Sequence, residues 1–208
     1  MTTEYLTVDR SASVEIEVRR SRFLCDVERV DTEEQARAAV ERARRTHWDA
    51  RHHCSAFVLG ADAAVQRSND DGEPSGTAGA PMLEVLRGRE VSDVVAVVTR
   101  WFGGVLLGAG GLVRAYGDAV RAGLDEAGVR RRVLMARFDL AASHADAARW
   151  EADLRARGVV VLGVDYAERA LLHLAVPATE ADAFAGQVAS LTAGAASPHP
   201  AGMAWVDA

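Results

Sequence analysis

The feature that most constrains this chain is one apolar run, Val91 to Val98, flanked by two loops of unusual composition. A run with almost no polar interruption is the pattern of a strand buried on both faces, so helices or further layers must cover it on each side. The preceding loop is Asn69-Asp70-Asp71-Gly72-Glu73-Pro74-Ser75-Gly76-Thr77-Ala78-Gly79. The following one starts at Arg100-Trp101-Phe102-Gly103-Gly104 and continues through Gly108-Ala109-Gly110-Gly111 to Gly117. Glycine lets the backbone adopt positive φ or lets another molecule approach closely. Two such loops at one buried strand predict a surface built from main chain as well as side chains.

Around this centre the chain reads as α+β. Glu4–Val8, Ser13–Arg19 and Arg22–Val30 are strand candidates, with Val14, Ile16 and Val18 alternating against Glu15, Glu17 and Arg19. Thr32-Glu33-Glu34-Gln35 is a capping box that predicts a helix to about Thr46. His52–Gly60 reads as a strand, with Ala63–Arg67 as its partner. Ala78–Leu86 is a short helix with Thr77 as N-cap and Pro81 in its first turn. A helix from about Leu112 to Ala127 carries the stripe Leu112, Tyr116, Val120 and Leu124, the expected ion pairs Arg114–Asp118 and Arg121–Asp125, and Gly128 as its stop. Beyond Arg130-Arg131-Arg132, read as a linker, the order is β-α-β-β-α-β, which is the ferredoxin-like arrangement. Two domains are expected, residues 1–129 and 133–208.

The chain has 208 residues and a net charge of −6, with nine acids against four arginines in residues 139–208. Acidity argues against indiscriminate DNA binding, while Arg19 to Arg51 form a locally basic segment. All 24 basic residues are arginine, as GC-rich coding would give. No window reaches the roughly 18 apolar residues of a membrane span. Residues Met1 to Arg20 lack a signal-peptide core, so a cytoplasmic location is expected. Cys25 and Cys54 belong to no CxxC and are expected to be reduced and at least partly buried.

Several chemistries can be tested against the loops. Gly108-Ala109-Gly110-Gly111-Leu112-Val113 begins like a dinucleotide fingerprint but ends on Val113. A phosphate loop of the Walker type needs a Lys-Ser/Thr pair that is missing. A general anion site remains, formed by N–H groups opening the Leu112 helix with Arg100 and Arg114, alongside the plainer reading of tight turns. Asp70, Asp71 and Glu73 do not match an EF-hand and read as a solvated turn rather than a metal site. His47, His52, His53 and Cys54 lack the second cysteine pair of a zinc site, so no metal or cofactor is expected. Binding candidates are therefore His53, Asp70, Glu73, Ser75, Thr77, Arg100, Gly103, Gly104, Gly110, Gly111 and Arg114. Trp101 and Phe102 are alternative anchors for a protein partner, with core packing expected for at least one.

The two loops together, with Ser21-Arg22-Phe23 and the His53-Cys54 strand, resemble the signature of the IMPACT family in its bacterial YigZ branch. The resemblance covers the whole chain. It implies an N-terminal domain like ribosomal protein S5 domain 2 and elongation factor G domain IV. It also implies a C-terminal domain like elongation factor G domain V. The family usually has Lys where this chain has Ala80, and often where it has Leu107, which reads as lost positive charge. Eukaryotic relatives are implied to regulate translation through a protein partner, which does not carry over to this chain. The expectation is a non-enzymatic, translation-linked protein contacting RNA or the ribosome through the Gly-rich loop. The alternative is a hydrolase acting on a small or peptide-like substrate, with Asp70, Glu73, Ser75 and His53 gathered in a cleft between the loops.

Overall fold

The computed structural model describes residues 2–208 and divides into two compact units, Met1–Arg131 and Arg132–Ala208. The N-terminal unit runs β1 (Glu4–Val8), β2 (Ala12–Val18), β3 (Ser21–Arg29), α1 (Glu33–Thr46), β4 (His52–Leu59), β5 (Val65–Asn69), α2 (Gly79–Gly88), β6 (Val94–Trp101) and α3 (Ala109–Ala127). Five strands form an antiparallel sheet in the order β2-β3-β6-β4-β5, with β6 at its centre. Alternation along β6 fills two cores. Val94, Ala96 and Val98 pack with α2 and α3, while Val95 and Val97 pack with Ala36, Ala39 and Ala43 of α1. The apolar run is thus buried on both faces, as its composition requires, although within an antiparallel sheet.

Local chemistry accounts for most element limits. Thr32 caps α1 through its hydroxyl, which accepts from the Gln35 N–H at 3.2 Å. The Gln35 side chain returns the bond to the Asp31 N–H at 2.6 Å, one residue before the expected place. Helix α3 starts three residues earlier than expected and stops at Gly128. The ion pairs on α3 differ from expectation. Arg121 pairs with Asp118 one turn back, and Asp125 pairs with Arg89 at the C-cap of α2, because tertiary proximity offers a better partner than the helix surface. Arg114 is exposed and forms no ion pair among the described residues.

The C-terminal unit holds β7 (Val129–Ala142) from Arg132 onward, α4 (His144–Ala156), β8 (Val160–Tyr166), β9 (Ala170–Pro177), a 3-10 turn, α5 (Ala181–Thr192) and β10 (His199–Asp207). Its strands pair antiparallel in the order β10-β7-β9-β8, and Trp150, Leu154, Phe184 and Val188 of the two helices fill its core. Arg130, Arg131 and Arg132 lie inside β7 rather than in a linker. Arg130 and Arg131 are exposed and Arg132 is half-buried, and ion pairs such as Arg131–Glu4 and Arg132–Asp207 let the strand carry three successive arginines.

Candidate functional site

The acidic loop folds inward on its own backbone. One carboxylate oxygen of Asp70 accepts from the Gly76 N–H at 2.8 Å, and the other from Ala78 and Gly79 at 3.0 and 2.8 Å. Asp70 therefore caps α2 from eight residues upstream. Thr77, expected as the N-cap, is buried and donates its hydroxyl to the Pro74 carbonyl at 2.6 Å, while Ala78 holds the cap position. A charged acceptor facing three free N–H groups outcompetes a single hydroxyl. Partial burial opposes ionisation of Asp70, but the Gly76, Gly79 and Ala78 N–H donors hold its pKa below the usual value. Asp71 bridges Arg44 at 2.6 Å and the His53 backbone N–H at 2.7 Å.

Glu73 is the hub beneath this loop. Its Oε1 accepts from Arg100 Nη1 at 2.5 Å and from the Tyr116 hydroxyl at 2.7 Å. The Cys54 thiol reaches the Tyr116 oxygen at 3.3 Å and the Asp70 carbonyl at 3.0 Å. Phe23 packs edge-on against Tyr116 with centroids 5.2 Å apart and lies 5.4 Å from the Arg100 guanidinium carbon. Burial pushes the Cys54 thiol up to about 12 and raises the Tyr116 hydroxyl as well, so both are protonated donors at neutral pH. His53 is buried, its Nε2 donates to the His47 carbonyl at 3.1 Å, and burial lowers its pKa. The cluster joins β3, β4, β6, α3 and the acidic loop. Chemically it is an internal brace: Glu73, Arg100, Tyr116 and Cys54 are held by one another and by the loop backbone, while Arg100 Nε is buried without a hydrogen-bond partner among the described residues.

This geometry corrects the expected cleft. Glu73 and Arg100 meet, but His53 pairs with Thr99 on the other face of the sheet and Thr77 turns to Pro74, and His53, Glu73, Thr77 and Arg100 are all buried. Glu73 Oε1 takes both donors, Arg100 and Tyr116, below the surface, and Ser75 is exposed outside the cluster. The four groups named for a hydrolase are thus not gathered in one cleft, since Ser75 and His53 stand apart from Glu73. Arg100 cannot supply surface charge, since Glu73 holds it. Arg114 lies instead along the α2–α3 groove with Pro81, Val85 and Gly117.

The second loop remains open at the surface. Gly103 donates to Ser21 Oγ at 3.2 Å, and an added Cβ there would fall 2.0 Å from the Arg20 carbonyl carbon. Only glycine lets the loop lie this close to the β2–β3 turn. Gly104 and Gly110 are exposed and Gly111 is half-buried. Phe102 and Leu106 are also exposed, Leu106 at 82%. Leu107, where the resemblance suggests a lost cation, is half-buried and packs on the core. Helix α3 opens at Gly108 without a side-chain cap or an acidic residue in its first turn. Trp101 is half-buried, with its indole N–H on Asp49 at 2.9 Å and its ring against His47 and Arg22 rather than within a hydrophobic core.

Two residues beside this loop escaped notice as site residues. Arg19 and Arg20 form the two-residue β2–β3 turn, both at positive φ (48° and 67°), and both are exposed. Arg19 Nη1 reaches the Leu106 carbonyl at 3.4 Å. The signal available was a two-residue gap between alternating strands, filled by arginines where Asn-Gly is usual. Among the described residues no group of three or more His, Cys, Asp or Glu could hold a metal ion, and no helix is long and apolar enough to cross a membrane.

These features define a two-unit α+β protein with a braced acidic loop and an exposed Gly-rich loop. The chain belongs to the IMPACT family. The Impact N-terminal domain profile matches residues 19–124, and a domain of unknown function (DUF1949) matches residues 140–195. The chain is 43% identical to "IMPACT family member YvyE" of Bacillus subtilis (strain 168), over 93% of this chain and 89% of that protein. It is 39% identical to "IMPACT family member YigZ" of Escherichia coli (strain K12), over 86% and 88%. A solved structure described as "Crystal structure of an hypothetical protein" matches with a TM-score of 0.66 and 36% identity, covering 96% of this chain and 98% of that one.

Proposed function

We propose that this chain is a cytoplasmic, translation-linked binding protein that contacts RNA or the ribosome through its Gly-rich loop and the adjoining Arg19-Arg20 turn. The observation that carries this reading is the turn itself. Non-glycine residues at positive φ cost of order 1 kcal/mol or more each, and such strain clusters at functional sites. Two successive arginines held in that backbone keep two cations beside an exposed loop where Asn-Gly would be more stable. Exposed Phe102 offers a base-stacking face, and the uncapped start of α3 offers N–H groups to phosphate. The translational role implied by the family resemblance agrees with this surface. So does the strand order β10-β7-β9-β8, which fits the ferredoxin-like reading of the C-terminal unit, with the N-terminal unit read as S5 domain 2-like. The charge at the loop comes from Arg19 and Arg20, not from Arg100.

Binding of ribosomes and of RNA across a salt series tests the proposal. The Arg19→Asn/Arg20→Gly chain is expected to bind more weakly, with a salt slope shallower by about 2. No binding by the natural chain, or equal binding by the variant, would remove the proposal.

A further inference from the structure

Helix α1 ends in a short connection to β4 that carries Trp48, 82% exposed. Its neighbours are engaged. The His47 ring stands edge-on to Trp101 with centroids 5.3 Å apart, and Asp49 accepts the Trp101 indole N–H. The guanidinium of Arg22 covers the face of Trp101 at 4.6 Å. Trp48 alone in this group makes no ring contact or hydrogen bond among the described residues, so packing does not explain a residue that normally gains from burial. Arg45 and Arg51, on either side of it in the chain, are exposed and form no ion pair among the described residues. The same end of the sheet continues from Trp101 across Arg22 and Ser21 to Gly103 and the Arg19-Arg20 turn.

We propose that Trp48 is a stacking platform for an unpaired base of single-stranded RNA whose backbone tracks the arginines from Arg19-Arg20 to Arg45 and Arg51. This rests on the RNA reading above and narrows it to unpaired RNA. An indole can stack on a base only when that base is splayed from its strand, and in an A-form duplex the base faces are hidden. Unpaired cations flanking the ring favour a phosphate-bearing ligand over a protein, whose hot-spot tryptophans sit within apolar, charge-depleted centres.

Tryptophan emission followed during titration with a short oligouridylate, and with an RNA duplex of equal length, tests the platform. The single strand is expected to bind with quenching and the duplex to bind weakly. Trp48→Ala is expected to lose about tenfold or more in affinity together with the quench, whereas Trp48→Phe stays within about threefold, since a phenyl face still stacks. Because the side chain is exposed, the unfolding midpoint should not move. Unchanged affinity in Trp48→Ala overturns the platform, as does equal quenching by the duplex or loss of a protein partner with RNA affinity intact. If Arg19→Asn/Arg20→Gly weakens RNA binding while Trp48→Ala does not, the binding surface stands and only the platform falls. If the natural chain binds neither RNA, both fall.

Discussion

Arg100 Nη1 lies 2.5 Å from Glu73 Oε1, with only 8% and 4% of the two side chains exposed. Removing one partner of a buried pair strands the other charge, at a typical cost of about 3–5 kcal/mol. Arg100→Met should therefore lower unfolding free energy by about that amount in urea titrations. Glu73→Gln keeps an acceptor for Arg100 and Tyr116 and should cost less. A loss below about 1 kcal/mol for Arg100→Met would mean that water reaches the pair and that the brace is weaker than its geometry.

The β2–β3 turn should trade stability against binding. Arg19→Asn/Arg20→Gly places the preferred residues for two positive φ values at a two-residue hairpin. Relief of strain at two positions should raise stability by about 1–2 kcal/mol. Calorimetry checks the gain, and the same protein should be the weaker RNA binder. A variant that is no more stable would show that the arginines adopt this backbone without penalty.

Glycines in the second loop should respond in opposite directions. A Cβ at Gly103 would overlap the Arg20 backbone, so Gly103→Ala must displace the loop or the turn and destabilise the chain. A Cβ at Gly110 meets nothing within 4 Å, and the residue sits in the first turn of α3. Gly110→Ala should stabilise by roughly 0.5–1 kcal/mol. Paired thermal melts give the comparison, and two shifts of the same sign would contradict it.

His173 in β9 lies between two carboxylates, with Nε2 3.0 Å from Asp165 and Nδ1 2.7 Å from Asp139. Hydrogen bonds to Asp165 and then Asp139 raise its pKa above the ordinary 6.5. A raised folded value means that the imidazolium contributes stability in full below the unfolded pKa and loses it as pH rises through the folded one. The melting temperature should fall between about pH 6 and 8 in the natural chain and fall less in His173→Gln. The site is partly solvated, so the difference should be small.

Periodicity located the strands and helices because burial imposes it directly. The run at Val91–Val98 marked the centre of the sheet, although Val91 and Ser92 turned out to precede β6. What sequence could not supply was the partner of each polar group. Glu73 and Arg100 looked like surface chemistry because charged residues usually are. Their burial depends on Tyr116 arriving from α3, 43 positions beyond Glu73. The N-cap assigned to Thr77 failed for the same reason, since Asp70 reaches α2 from outside the local window. Arg19 and Arg20 were legible as basic residues but not as a strained pair, since backbone angles are set by the strand register on both sides.

Cys25 and Cys54 both face Val98 across β6, one on each neighbouring strand, and both are sealed within the same core. They are the two cysteines of the sequence. A third cysteine introduced on the surface would then be the single thiol open to maleimide dyes or spin labels. Label mobility at Ser75 or Leu106 could be followed in the otherwise natural chain, with no need to remove either buried sulfur first.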